Sequence, residues 1–423
     1  MEEQTRTVQP SVLSHRPFLL FWLGRIISVL GYQMTMIALA WQLYNITNSA
    51  FSLGLVGLAQ FFPLILFTLH VGHVSDRYDR RTVARLCQWG SSAAVLLLFA
   101  GTLAGWLDSV AIYAVVFILA SVRAFEAPSM NAMVPALVPA EDVPRAMAWY
   151  TSASKTATIV GPALGGFLYI YGPALVYGLA AALWIVASIF TMAIVIEYTA
   201  RKKEPVTLES LLAGFKFLLS DRVLLGTATL DMFAVLVGGI TVLLPVFARD
   251  ILHTDSFGLG LLRSAPAVGA VGMSLVLARY PLKPPVGPIL FAVTIVFGVA
   301  TIAFAFSTTM ILSLLMLAVM GASDVVSIVI RFSLIQLRTP DAMRGRVSAA
   351  NALFIGTSNQ LGDFESGVVA ALIGAVPAVI VGGVGTIAIT VLWMLVFFPE
   401  LYRIYTLESD ERPDSAVAQP RKA

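Results

Sequence analysis

Apolar and polar positions alternate along this chain in long blocks, not in the short repeats of a soluble protein. Apolar blocks of about 20 residues, the length a helix needs to cross a bilayer, follow one another with brief polar connectors. They fall at 17–41, 52–74, 84–106, 110–134, 147–170 and 174–198, and again at 223–248, 257–279, 287–307, 310–335, 347–373 and 377–399. The pattern predicts an all-α polytopic membrane protein with twelve transmembrane helices in two pseudo-symmetric six-helix halves. The halves occupy residues 1–200 and 223–402, joined by a cytoplasmic linker at 201–222 and followed by a tail at 403–423. In the linker, Leu208, Leu211, Leu212, Phe215, Leu218 and Leu219 recur at helical spacing, which predicts an amphipathic helix lying on the membrane surface. The tail is charged and contains proline, a composition that predicts disorder.

The halves echo one another. A shift of 201 residues places Pro139 on Pro340, Arg145 on Arg346, Gly161 on Gly362 and Gly166 on Gly367. "SLGL" (52–55) and "SFGL" (256–259) open the second span of each half. Parallel six-span repeats predict a transporter with its substrate site between them.

Composition sharpens this picture. Hydrophobic residues make up 58% of the 423 and charged residues 12%, against about 25% charged in soluble domains. The basic residues sit in short clusters between spans, which excludes a nucleic-acid partner. A single cysteine, Cys87, excludes an intramolecular disulfide framework. Of the 27 Lys and Arg, 21 fall on the side that holds the termini, whereas the opposite loops hold only Arg249. By the positive-inside bias both termini are expected in the cytoplasm. The first residues, "MEEQTRTVQPSVLSHRP", carry no cleavable signal pattern. Trp22, Trp41, Trp106 and Trp393 lie near span ends and are expected to be interfacial anchors.

The densest charge cluster, "GHVSDRYDRR" (72–81), sits directly between the second and third spans. Gly72, Asp76, Arg77, Arg80 and Arg81 match the loop pattern of the major facilitator superfamily, with Asp79 in place of a usual glycine, and the chain resembles that family. "GPALGG" in span five, with Gly161, Pro162, Gly165 and Gly166, is similar to its antiporter motif, although an earlier glycine of that motif is missing. In span four, Arg123 matches the family's buried arginine, while Glu126 and Ala127 replace a usual glutamine and glycine. "SLLAGFKFLL" (210–219) and "PALVPAEDVPRA" (135–146) resemble the enterobactin-exporter and macrolide-efflux branch of drug–proton antiporters. The resemblance implies a monomer in the bacterial inner membrane that exports a siderophore or drug-like molecule by alternating access in exchange for protons. An importer on the same scaffold is the alternative. It also implies that Asp76 meets the first turn of span eleven near Arg346, latching the cytoplasmic side. A plain positive-inside anchor is the other reading of the cluster.

Charges within the spans are costly unless they have a partner, a wet cavity or a function. The first half contributes Arg25, Arg123 and Lys155 against Glu126; the second contributes Asp231, Asp324, Asp363 and Glu365 against Arg331 and a more peripheral Arg263. Two readings stay open. The charges could form salt bridges between the halves, or the basic wall could bind an anionic group while a carboxylate exchanges protons. Arg123 and Glu126 stand one helical turn apart, a spacing suited to an ion pair. Tyr32, Gln33, Gln42, Asn359 and Gln360 are candidate ligand hydrogen-bonders or helix-packing groups. His70 and His73 have a spacing that could share a metal but lack further ligands, so neither metal nor cofactor is expected. The chain shows no nucleophile elbow, zinc-protease or phosphate-loop motif. An enzyme or a built-in ATPase is therefore not expected, and an ion gradient is the expected driving force.

Overall fold

The computed structural model describes residues 11–194 and 208–406, without the side chains of residues 69, 71–73, 75–77, 208–211 and 342. The first half forms α1 (Arg16–Thr47), α2 (Ala50–Arg77), α3 (Arg80–Ala104), α4 (Ser109–Met133), α5 (Val143–Tyr169) and α6 (Pro173–Ala193). The linker helix α7 (Leu208–Ser220) follows, where the heptad-like leucines place it. The second half forms α8 (Arg222–Gly238), α9 (Ser256–Arg279), α10 (Val286–Ala305), α11 (Met310–Arg338), α12 (Asp341–Ile373) and α13 (Ala375–Leu392). Among the described residues ten helical stretches are long and apolar enough to cross a membrane, the one that begins with α8 running on to Ile251. Of the twelve expected spans, α5 and α12 fall short of that test, and they carry Lys155 and the pair Asp363 and Glu365 within their lengths.

Short connectors set sharp ends. Ser49, Asp79, Asp108, Asp221 and Asp255 each accept a hydrogen bond from a backbone N–H of the following helix, satisfying donors that would otherwise be orphaned. Asn48 and Gly105 end α1 and α3 in the left-handed region, at φ 48° and 73°. The start of α1, α7 and the connectors after α2, α4, α9 and α11 share one end of the bundle, here called the terminal face. The connectors after α1, α3, α5, α8, α10 and α13's predecessor α12 share the distal face.

The internal repeat reappears as packing. An added Cβ at Gly161 would lie 2.6 Å from Gln33 Cβ of α1, and one at Gly362 would lie 3.2 Å from Leu236 Cα of α8. Gly166 meets the backbone of Ser256 at the start of α9, and its repeat mate Gly367 meets Gly54 at the start of α2. Equivalent glycines thus press α5 onto α1 and α9, and α12 onto α8 and α2. Small residues allow such helix approach in a bilayer, where packing and not hydrophobic expulsion holds helices together.

Two expectations are corrected. The span expected at 223–248 is present as Arg222–Ile251, but not as one unbroken α-helix: α8 stops at Gly238, and after Gly239 the chain resumes as the turn Thr241–Leu243 and short helical turns to Ile251. The Gly238–Gly239 pair costs helix propensity, and Pro245 cannot donate into a continuous ladder. Trp41 is 8% exposed and lies in the main apolar core, which both halves share, because the helix turns it away from the surface. Trp393 donates to Thr229 Oγ1 at 3.1 Å and packs on Phe233. Trp106 remains exposed at the distal end of α3, and Trp22 is paired edge-on with Trp149.

Candidate transport site between the two halves

Three cations converge on the first-half wall. Arg123 of α4 places its guanidinium 3.6 Å from the centre of the Tyr32 ring of α1. Arg25 of α1 donates to Ser154 Oγ of α5 at 3.3 Å and lies 5.3 Å from the Tyr150 ring centre. The Tyr150 hydroxyl is itself fixed by Asn131 Oδ1 at 2.7 Å. Lys155, next to Ser154, is exposed. Among the described residues none of the three cations forms an ion pair within 4.0 Å. Aromatic faces and a hydroxyl orient the two arginines without neutralising them.

The expected Arg123–Glu126 pair does not form. Glu126 is 4% exposed on the side of α4 that packs on α3, and its Oε1 has no hydrogen-bond partner. One turn of helix brings Cβ atoms near, but stacking on Tyr32 draws Arg123 toward α1, away from the acid.

The second-half wall is arranged differently. Arg331 of α11 is buried and binds Asp231 of α8 at 2.5 Å, and its Nε donates to Ser327 Oγ at 3.0 Å. Its other nitrogen stands 4.0 Å from Asp324, whose side chain is 44% exposed. This bridge lies within one half, so it is not one of the interhalf pairs considered from the sequence.

Between the walls lies a cavity of about 420 Å³ lined by Gln33, Thr158, Arg263, Asp324, Asn359 and Asp363, among others. Its far end is formed by the broken segment Gly238–Thr241, where unwound backbone lines a cavity and is not exposed to lipid. Freed carbonyls find side-chain donors there: Arg263 donates to Thr241 O at 3.0 Å, and Ser366 to Gly239 O at 2.5 Å. Arg263 is therefore a cavity residue and not a peripheral one. The Gly–Gly pair at 238–239 is the sequence signal for this site, masked by the uninterrupted hydropathy of the stretch around it.

The distal half of the seam between the halves is closed. Ser256 donates to Gly166 O at 2.9 Å and Ser264 to Ile159 O at 2.6 Å. Arg249 stacks on Tyr44 at 4.0 Å and donates to Tyr44 O and Asn45 Oδ1, both at 3.4 Å. The Tyr44 hydroxyl donates to Asp250. Nearer the terminal face, Met147 of α5 and Val276 of α9 are exposed.

Gly161, Pro162, Gly165 and Gly166 serve this seam as close-packing positions against α1 and α9. Of the terminal-face cluster, the side chains of Gly72, Asp76, Arg77 and His73 lie outside the described residues. Arg80 donates to Ala132 O at 2.8 Å and Arg81 to Ile194 O at 2.7 Å, cations set on carbonyls at the ends of α4 and α6. Both therefore staple the first half together. No group of metal-ligating side chains occurs among the described residues.

A two-halved helical bundle around a charged central cavity defines a multi-pass membrane transporter, not an enzyme. The Major Facilitator Superfamily model matches residues 21–362, and the chain belongs to that superfamily. It is 27% identical over 405 residues to the enterobactin exporter EntS of Citrobacter koseri, covering 93% of this chain and 95% of that protein. It is also 27% identical to the enterobactin exporter EntS of Escherichia coli O1:K1, over 94% of this chain and 95% of that one. In structure it is similar to the nucleoside transporter NupG, with TM-score 0.71 at 15% identity, over 90% of this chain and 99% of NupG. It is similar too to a bacterial homologue of the iron transporter ferroportin in its inward-facing state, with TM-score 0.69 at 18% identity, over 91% of this chain and 99% of that one.

Proposed function

We propose that this transporter exports a siderophore or related small molecule with an anionic group, by alternating access coupled to protons. The two halves, residues 1–200 and 223–402, rock about the seam, with 201–222 as their cytoplasmic linker. The terminal face is the cytoplasmic one, because the basic connectors lie there, and the membrane is the bacterial inner membrane. The observation that carries this reading is the set Arg25, Arg123 and Lys155, three first-half cations with no ion pair among the described residues, the two arginines being held by rings and a hydroxyl. An anion entering there gains charge-assisted hydrogen bonds that no protein carboxylate pre-empts. The similarity to enterobactin exporters supports a siderophore over other anions.

Inverted membrane vesicles test the proposal. Accumulation of the siderophore enterobactin inside them, enhanced by an imposed proton gradient, supports export; efflux from preloaded inverted vesicles alone indicates import. Arg123→Gln and Lys155→Gln should each weaken binding of an anionic ligand tenfold or more, from loss of about 1.5–3 kcal/mol of charged hydrogen bonding. A cationic drug should be spared. Equal losses for both ligands would end the anionic reading.

A further inference from the structure

The second-half charges do not balance. Asp231 and Asp324 bring two negative charges to one arginine, Arg331, whose Nη1 binds Asp231 at 2.5 Å and whose Nε donates to Ser327 at 3.0 Å. Asp324 is left with the guanidinium's far side at 4.0 Å. The residues Asp324, Ser327 and Arg331 stand at i, i+3 and i+7 and so share one face of α11. Two cavities meet at Asp324. On one side is the central cavity of about 420 Å³. On the other is a small, largely apolar pocket of about 30 Å³ into which Asp231, Asp324, Thr294, Ser323 and Ser327 bring the polar groups, large enough for a water molecule.

We infer that Asp324 is the proton-binding group of the transport cycle, and that the Asp231–Arg331 pair is a fixed counter-charge that leaves Asp324 one cation short. A proton from cavity water bonds to an Asp324 carboxylate oxygen, and the same O–H bond breaks when the proton returns to water. Arg331 keeps its bond to Asp231 throughout. The other charged groups facing this position are Lys155, within electrostatic reach from α5 across the cleft, and Arg263 and Asp363 on the shared cavity wall; α10 presents only Thr294 and apolar residues. Asp231 does not take this role: at 10% exposure it is held at 2.5 Å by the arginine that neutralises it. The inference rests on the proton-coupled reading above and selects the residue.

The test uses purified full-length protein in lipid nanodiscs, with no substrate. Infrared difference spectra between acid and alkaline buffer report protonated carboxyl groups, and pH-jump titration counts the protons taken up. Asp324→Asn should lose a carboxyl band and a single proton per chain. Asp231→Asn should lose the same band although Asp324 is intact, because Arg331 is then free to pair with Asp324 and hold it ionised. Lys155→Gln should keep the band. A purely structural role for the triad predicts no such effect of Asp231→Asn, and size-exclusion profiles check that each variant is folded. A band that survives either Asp324→Asn or Asp231→Asn overturns the inference. Transport that ignores a proton gradient while the band follows this pattern would instead remove the coupling and leave the proton site.

Discussion

Arg249→Ala should loosen the distal seam. The chain places its one distal basic residue where it crosses from the second half to the first. The Arg249–Asp250 bond, at 2.8 Å, lies within one half and does not count toward the seam. What crosses is the stack on Tyr44 at 4.0 Å and two long hydrogen bonds to Tyr44 O and Asn45 Oδ1 at 3.4 Å. A partly exposed cation–π contact contributes about 0.5–1 kcal/mol, and the two long bonds together contribute about 1 kcal/mol. The distal-closed state should therefore lose about 1.5–2 kcal/mol, a ten- to thirtyfold change in its population ratio. Tyr44→Phe keeps the ring but removes the hydroxyl that binds Asp250, and should give a shift of similar size. Spin labels on Val110→Cys and Thr308→Cys, in a Cys87→Ser background, sit on exposed distal positions of opposite halves. Electron–electron resonance should show a longer-distance population growing in Arg249→Ala and Tyr44→Phe. Distance distributions unchanged from the parent in both variants would refute the assignment of this cluster as a latch.

The same labels read a second perturbation: Gly57→Ala places a methyl 2.6 Å from Gln360 O and 2.9 Å from Asp363 Cβ, so the distal halves must part. The long-distance population should rise here too, at an overpacking cost of about 1–3 kcal/mol, and an unaltered distribution would mean that α2 slides instead. Topology is checked with an impermeant thiol reagent on intact spheroplasts. A cysteine at Thr308 should be labelled, whereas one at the exposed Glu141 should not, and the reverse pattern would invert the protein in the membrane. Ser256 is unsuited to this use, because it is 3% exposed and bonded across the seam.

Much of this architecture was legible in the sequence, because a bilayer imposes length and hydropathy on every span. Twelve blocks follow from that single constraint, and the charge cluster at 72–81 with the span-five glycines pointed to the superfamily. The repeat was visible in Gly161, Gly166, Gly362 and Gly367 because close helix approach tolerates no side chain there. The partners of the buried charges were not legible. Spacing along one helix put Glu126 beside Arg123, yet a ring from another helix, Tyr32, holds the arginine. Opposite charge in the two halves suggested bridges between them, yet Arg331 satisfies Asp231 within its own half. The break at Gly238–Gly239 and the entry of Arg263 into the cavity likewise depend on neighbours distant in the chain. Hydropathy acts on each segment alone, so the sequence determines which segments span. Ion pairing and stacking act between helices at a few ångströms, so only the tertiary arrangement decides which charge is left unpaired and facing the cavity.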